Sequence, residues 1–182
     1  MRLQLIGGCR DAGDEARLAA LRALAASPEL ALPRGAVEFL VNVPLAQLRA
    51  ALGGAVAGLH TMWNEHFGIG VVEMMAAGVL TVAHDSGGPR ADIVRPLADG
   101  ARTGFLAASA AQYADALDSI FRAVDGRLGG IDAVAMTAAA RAAVARRFSD
   151  EAFARAFAAV MQPVVDDAVR RNGGGGGGSK LD

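Results

Sequence analysis

Short apolar runs alternate with helical patterns along the first 107 residues, and few architectures accommodate that alternation. LQLI (Leu3–Ile6), VEFLV (Val37–Val41), AVAGL (Ala55–Leu59), VLTVA (Val79–Ala83) and GFLA (Gly104–Ala107) are each largely apolar at consecutive positions. Strands of that kind are covered on both faces. The first intervening helix carries Leu18, Leu21, Leu24 and Ala25 at helical spacing. The second opens on Pro44, which suits a first helical position, and carries Leu45, Leu48 and Leu52. A third runs from about Gly68 to Ala77, and a short helical turn follows HDSGGPRAD. Strand, helix and strand at this spacing need a crossover, so the strands run parallel. The fold class is α/β, a doubly wound parallel sheet. Ligands in such sheets sit beyond the carboxyl ends of the strands. The two least ordinary loops, HTMWNEHFG and HDSGGPRAD, fall there.

From Ser109 onward the pattern is all helical. Ser109 and Gln112 form an S-x-x-Q capping box ahead of a stripe of Leu117, Ile120, Phe121 and Val124. A second helix ends near Arg147, and Ser149 caps a third with Phe153, Phe157, Val160 and Met161 on one face. The tail NGGGGGGSKLD reads as a flexible linker. No apolar run reaches the ~20 residues of a membrane span. Cys9 is the only cysteine, which excludes an intrachain disulfide and a cysteine-based zinc site and fits a reducing compartment. Cys9 itself reads as a small buried thiol after a strand. Net charge is −1, against a nucleic-acid or anionic-membrane surface as the main partner.

The segment His60–Gly78 carries the candidate chemistry. Gly68 and Gly70 open a helix whose free amides and partial positive charge suit a phosphate, and glycine lets a diphosphate approach the backbone at Gly68 and Ile69. Glu65 and Glu73 lie seven residues apart across that start. Ionised carboxylates only accept hydrogen bonds, so these two suit hydroxyl donors, such as the vicinal hydroxyls of a sugar. Glu73 as a solvated helix glutamate is the ordinary alternative. The small apolar face of Ile69, Gly70, Ala76 and Ala77, with no basic partner, speaks for a buried carboxylate that needs donors. Glu65 reads equally as a helix-start acid or a ligand contact, and Gly87-Gly88-Pro89 equally as an ordinary turn or a ligand loop. His60, His66 and His84 share no metal-ligand spacing and read as structural, and Trp63 reads as packing. No Ser-His-Asp arrangement, P-loop or G-x-G-x-x-G is present.

LHTMWNEHFGIGVVEMMAAG followed by HDSGGPRADIV closely resembles the retaining glycosyltransferases of the two-domain GT-B fold. Within them it is most similar to the α-1,2-mannosyltransferases that extend dolichol-linked oligosaccharide with GDP-mannose. LQLIGGCRDAGDEARL, TGFLA and RFSDEAF resemble the same group in the same order, so the resemblance spans about Leu3–Val160. It implies a Rossmann-like carboxy-terminal GT-B domain with sheet order 3-2-1-4-5-6. Residues 1–162 would be the donor-binding domain, starting at its second strand, and residues 163–182 the end of the last helix and the tail.

The resemblance also implies roles. Glu65, the catalytic candidate, would contact hydroxyls of the transferred mannose. Phe67, Gly68 and Ile69 would hold the donor diphosphate through main-chain amides, Glu73 would bind the ribose hydroxyls of GDP, and Gly87 and Gly88 would form a donor loop. Such enzymes use no metal or other cofactor, because the helix dipole and basic side chains stabilise the departing diphosphate. The partners implied are GDP-mannose and, through an amino-terminal domain, dolichol-linked oligosaccharide, at the cytosolic face of the endoplasmic reticulum membrane. The chain by itself is expected to be cytoplasmic and inactive. By the resemblance, these residues would begin after the first strand and after the Arg and Lys that face the diphosphate, and Arg2 matches neither. A non-catalytic nucleotide-binding or interaction module, and a GT-B transferase using another nucleotide sugar, remain open beside this reading.

Overall fold

The computed structural model describes residues 1–124 and 131–173, and within it the chain divides into two compact units, Met1–Gly54 and Ala55 onward. In the first unit, β1 (Leu3–Gly7) is followed by α1 (Ala12–Ala25), β2 (Val37–Val41) and α2 (Leu45–Gly54). β1 and β2 pair in parallel, Leu3 opposite Val37 through Gly7 opposite Val41. α1 begins where the Asp11 carboxylate accepts the Asp14 amide at 2.9 Å, with Asp14 and Glu15 in the first turn and Arg22 in the last. Asn42 ties the two strand ends together, accepting from the Cys9 amide at 2.8 Å and donating to the Cys9 carbonyl at 2.9 Å. The Cys9 side chain is half-buried, less enclosed than its position after a strand predicts.

The second unit holds β3 (Ala57–His60), α3 (Ile69–Ala77), β4 (Leu80–His84), β5 (Phe105–Ala107), α4 (Ala110–Val124), α5 (Ala133–Arg147) and α6 (Asp150–Gly173). Its sheet is parallel in the order β3-β4-β5. The alternation of strand side chains separates two core layers around β4. Leu80 and Val82 pack with Phe105, Ala107, Ala116, Ile120 and Met136. Ala83 faces the other way, toward Val71, Met75, Ile93, Val94, Ala140 and Ala143. Helices thus cover both faces of β4, as the consecutive apolar run predicts. Thr81 is buried and internally satisfied, its hydroxyl donating to the Val79 carbonyl at 3.0 Å.

The predicted strands and longer helices are found, with ends shifted by at most two residues, whereas the short helical turn expected after HDSGGPRAD starts inside it, at Pro89–Ile93. The Ser109–Gln112 cap forms with an offset: Ser109 Oγ accepts the Gln112 amide at 3.3 Å, while Gln112 Oε1 accepts from Ala108 instead of Ser109. Ser149 caps α6 through the Ala152 amide at 3.1 Å. The helix then continues through Pro163 to Gly173, with Phe153, Phe157 and Val160 exposed along it. The tail from residue 174 lies outside the described residues. The strands form two parallel sheets, β1-β2 in the first unit and β3-β4-β5 in the second.

Candidate functional site

The register His60 opposite Ala83 brings the carboxyl ends of β3 and β4 side by side, so the loops that follow them meet. Asn64 takes a left-handed backbone conformation, φ 57°, and its amide donates to Ser86 Oγ at 2.8 Å. Ser86 Oγ also bonds His84 Nδ1 at 2.9 Å. The Gly88 amide donates to the Glu65 carbonyl at 2.8 Å. A Cβ on Gly87 would collide with the Glu65 carbonyl oxygen, and one on Gly88 with the carbonyl oxygens of His66 and Phe67. Gly87 also has φ +52°, a conformation that costs other residues about 1–2 kcal/mol. The two glycines therefore seat one loop against the other, and Glu65 is carried on the seated segment.

The Glu65 side chain retains 27% exposure, and its Oε2 lies 3.9 Å from His60 Nε2. His60 Nδ1 is buried without a hydrogen-bond partner among the described residues. The Tyr113 hydroxyl donates to the His60 carbonyl at 2.9 Å, and burial raises the Tyr113 pKa above its usual value. Gly68 is buried and caps α3 with φ +96°, no side chain capping the helix there. Its carbonyl accepts from Val71 at 2.9 Å and Val72 at 3.3 Å, which leaves the Ile69 and Gly70 amides with no intrahelical acceptor. At the other end Arg141 donates to the Ala77 carbonyl at 2.8 Å. The positive end of α3 is open while its negative end is occupied. Valine at 68 is compatible with helix propensity alone, yet a β-branched residue at that φ is strongly strained.

A depression of about 690 Å³ lies over these loops, lined by Asn64, Glu65, His66, Gly87, Gly88 and Arg90 with Ala91, Asp92 and Arg95. Of the residues named from the sequence, Glu65, Gly87 and Gly88 line it, and so does His66, which is exposed there. Phe67, Gly68, Ile69 and Glu73 belong to the adjoining loop end and the start of α3 and do not. Phe67 packs edge-on against Phe148, ring centres 5.6 Å apart, while Ile69 is exposed. Glu73 is exposed too, which corrects the expectation of a buried carboxylate: the buried side of α3 is Val71 and Met75, and Glu73, two residues from each, falls on the opposite side of the helical wheel. Trp63 is 73% exposed and is not a packing residue. Asn64, Arg90, Asp92 and Arg95 were not singled out. An asparagine before Glu65, fit for a left-handed turn, and the charges after Gly-Gly-Pro were the available signals.

A parallel sheet with helices on both faces, an uncapped helix start and a carboxylate at a strand's carboxyl end characterise domains that hold anionic, hydroxyl-rich ligands. Residues 5–143 match the family described as Glycosyl transferases group 1, and the chain belongs to it. It is 48% identical over 164 residues to the Xenopus tropicalis protein named GDP-Man:Man(3)GlcNAc(2)-PP-Dol alpha-1,2-mannosyltransferase, covering 90% of this chain and 31% of that one. It is 47% identical over 153 residues to the Homo sapiens protein of the same name, covering 84% and 29%. The chain thus spans about three-tenths of these relatives' length. Among solved structures it is similar to Anabaena Alr3699/HepE in complex with UDP, with a TM-score of 0.70 at 21% identity over 89% of this chain and 41% of that one. Sucrose-phosphate synthase from Thermosynechococcus elongatus gives 0.67 at 23%, over 91% and 39%. These structural likenesses extend to the fold, which is GT-B-like.

Proposed function

We propose that this chain is the donor-binding part of a retaining α-1,2-mannosyltransferase that moves mannose from GDP-mannose to dolichol-linked oligosaccharide in N-glycan precursor assembly. The observation that carries the reading is the pairing of Glu65 with the uncapped start of α3 at the carboxyl ends of adjacent parallel strands. The printed names of the relatives at 48% and 47% identity supply the donor and acceptor. Glu65 accepts hydrogen bonds from the mannose hydroxyls and holds the reacting sugar. The amides of Ile69 and Gly70, behind Phe67 and the side-chain-free Gly68, receive the donor diphosphate. Glu73, exposed on the first turns of α3, accepts from the ribose hydroxyls of the nucleotide. The helix start stabilises the charge that grows on the departing diphosphate, so the step needs no metal. The acceptor is held by parts of the protein beyond these residues, at the cytosolic face of the endoplasmic reticulum membrane. No helix among the described residues is long and apolar enough to cross a membrane.

Calorimetric titration of the 182-residue chain with GDP and UDP, and transfer of labelled mannose from GDP-mannose to a dolichol-linked acceptor, test this reading. GDP binding that Glu73→Gln weakens is the expected result. UDP binding in preference to GDP would move the chain to a different donor, and no nucleotide binding would remove the reading. GDP binding without transfer would fit these residues acting as a nucleotide-binding module.

A further inference from the structure

The Glu65 carboxylate stands 3.9 Å from His60 Nε2, beyond hydrogen-bond reach, so its direction is set by the backbone that carries it. That backbone is fastened at two successive points to the loop after β4. The Asn64 amide donates to Ser86 Oγ at 2.8 Å, and the Glu65 carbonyl accepts from the Gly88 amide at 2.8 Å. Asn64 sits in a left-handed turn, φ 57°, and a rotation there would swing the Glu65 side chain. Ser86 is itself fixed. Its amide donates to the His84 carbonyl at 2.8 Å, its carbonyl accepts from the Arg90 amide at 3.3 Å, and its Oγ lies 2.9 Å from His84 Nδ1. The hydrogen positions follow from the donors and acceptors, since a serine hydroxyl has one hydrogen and two lone pairs. With the His84 hydrogen on Nδ1, Ser86 Oγ would accept twice and its own hydrogen would find no acceptor among the described residues. With that hydrogen on Nε2, Nδ1 accepts from the Ser86 hydroxyl and every group in the chain is paired. The relay then runs from the Asn64 amide through the Ser86 hydroxyl to His84 Nδ1, each link polarising the next.

Resting on the role given to Glu65 above, we propose that Ser86 and His84 are positioning residues for Glu65. The Ser86 hydroxyl, oriented by an imidazole that carries its hydrogen on Nε2, holds the Asn64 turn and so sets where the carboxylate meets the donor sugar. Neither side chain lines the depression, so the effect passes through the backbone of residues 64 and 65. Gly87 and Gly88 give the two loops room to touch, and Ser86 and His84 give the contact its direction.

The 182-residue chain gives the first result without any substitution. Long-range proton–nitrogen correlation spectra of the imidazoles, at a pH where histidine is neutral, should show the His84 hydrogen on Nε2. Finding it on Nδ1 overturns the relay. Ser86→Ala should speed exchange of the Asn64 amide several-fold, weaken GDP-mannose binding about three- to tenfold and leave GDP binding unchanged. Ser86→Thr keeps the hydroxyl and should return both toward the parent. In a Glu65→Gln background, Ser86→Ala should weaken GDP-mannose by less than about twofold further, because the group it positions is gone. Ser119→Ala removes a hydroxyl that donates to the Asp115 carbonyl at 2.9 Å on α4, and should bind as the parent does. Equal weakening of GDP and GDP-mannose, the mark of a merely structural serine, overturns the proposal. So does a Ser86→Ala protein that binds GDP-mannose as the parent does, or one whose full effect persists beside Glu65→Gln. If Ser86→Ala fails to fold by circular dichroism, His84→Phe, which keeps a ring and loses the acceptor, carries the same measurements. A parent that binds GDP-mannose no better than GDP would remove the role given to Glu65, and Asn64 exchange with the His84 hydrogen would then decide the relay alone.

Discussion

The two units share one sequence grammar and differ in what it achieves. Met1–Gly54 has two strands and two helices at the expected spacing, yet none of its residues is fully buried. The second unit buries β4 almost completely between two layers. The difference lies in the number of elements around each strand, not in strand quality, since LQLIG is as apolar as LTVAH. A two-stranded sheet exposes much of what it carries, and a central strand with helices on both faces does not. Apolar pattern selects the element; neighbours on both faces create the core.

Core truncation should break the comparison most strongly. Ile120→Ala, at a fully buried site, should cost about 2–5 kcal/mol in urea unfolding. Leu24→Ala, at 53% exposure in α1, should cost under about 1 kcal/mol. Equal losses would mean that the first unit is as well packed as the second. Glycine replacement tests the loops next. Gly87→Ala combines left-handed strain with a collision against Glu65 and should destabilise by more than about 2 kcal/mol. Gly35→Ala, φ +79° with nothing within 4 Å, should cost only the strain, about 1–2 kcal/mol. Segment-resolved hydrogen exchange should place each loss in its own unit.

Ligand chemistry belongs to the second unit alone in this reading. Glu73→Gln should weaken GDP binding roughly tenfold, the effect of one charged hydrogen bond, while Cys9→Ser leaves it unchanged. Glu65→Gln should spare GDP and weaken GDP-mannose. In a transfer assay Glu73→Gln should raise KM and Glu65→Gln should lower kcat. The reverse pattern would exchange the two roles. The smallest effect divides the units by pH. The Arg17 guanidinium bonded to Asp14, with the Arg10 amide, lowers the Asp14 pKa from 3.8 to about 2. That stabilisation of α1 is present above the unfolded value and fades as pH falls through about 2. Burial raises the Tyr113 pKa above 10.0, so its contribution to the second unit is full below 10 and lost as pH rises further. Acid should remove the Asp14 contribution from the first unit and alkali the Tyr113 contribution from the second, each followed by segment-resolved exchange.

Much of this was legible in the chain. The strands, helices and loop positions follow from apolar runs and from Pro44, Gly68 and Ser149, because these features act locally. The glutamates and glycines of the two loops were visible as unusual residues at strand ends. What stayed hidden depends on contact across sequence distance. The seating of Gly87 and Gly88 against residues 65–67 needs the β3–β4 register. The exposure of Glu73 and Trp63 needs to be known face by face, and small neighbours in sequence did not mark the buried face of α3.

The unequal ends of α3 bear on the timing of electrostatic work. Arg141 closes the Ala77 end when the domain folds, and the Ile69 and Gly70 amides are gathered at the other end by the same event. Orienting those dipoles is therefore charged to folding rather than to the arrival of a ligand. An anion reaching this terminus meets a field already set, with little reorganisation left to make. Under the proposed function, a leaving group that gains charge there would be stabilised by dipoles that need not turn, the condition under which a fixed environment outperforms water.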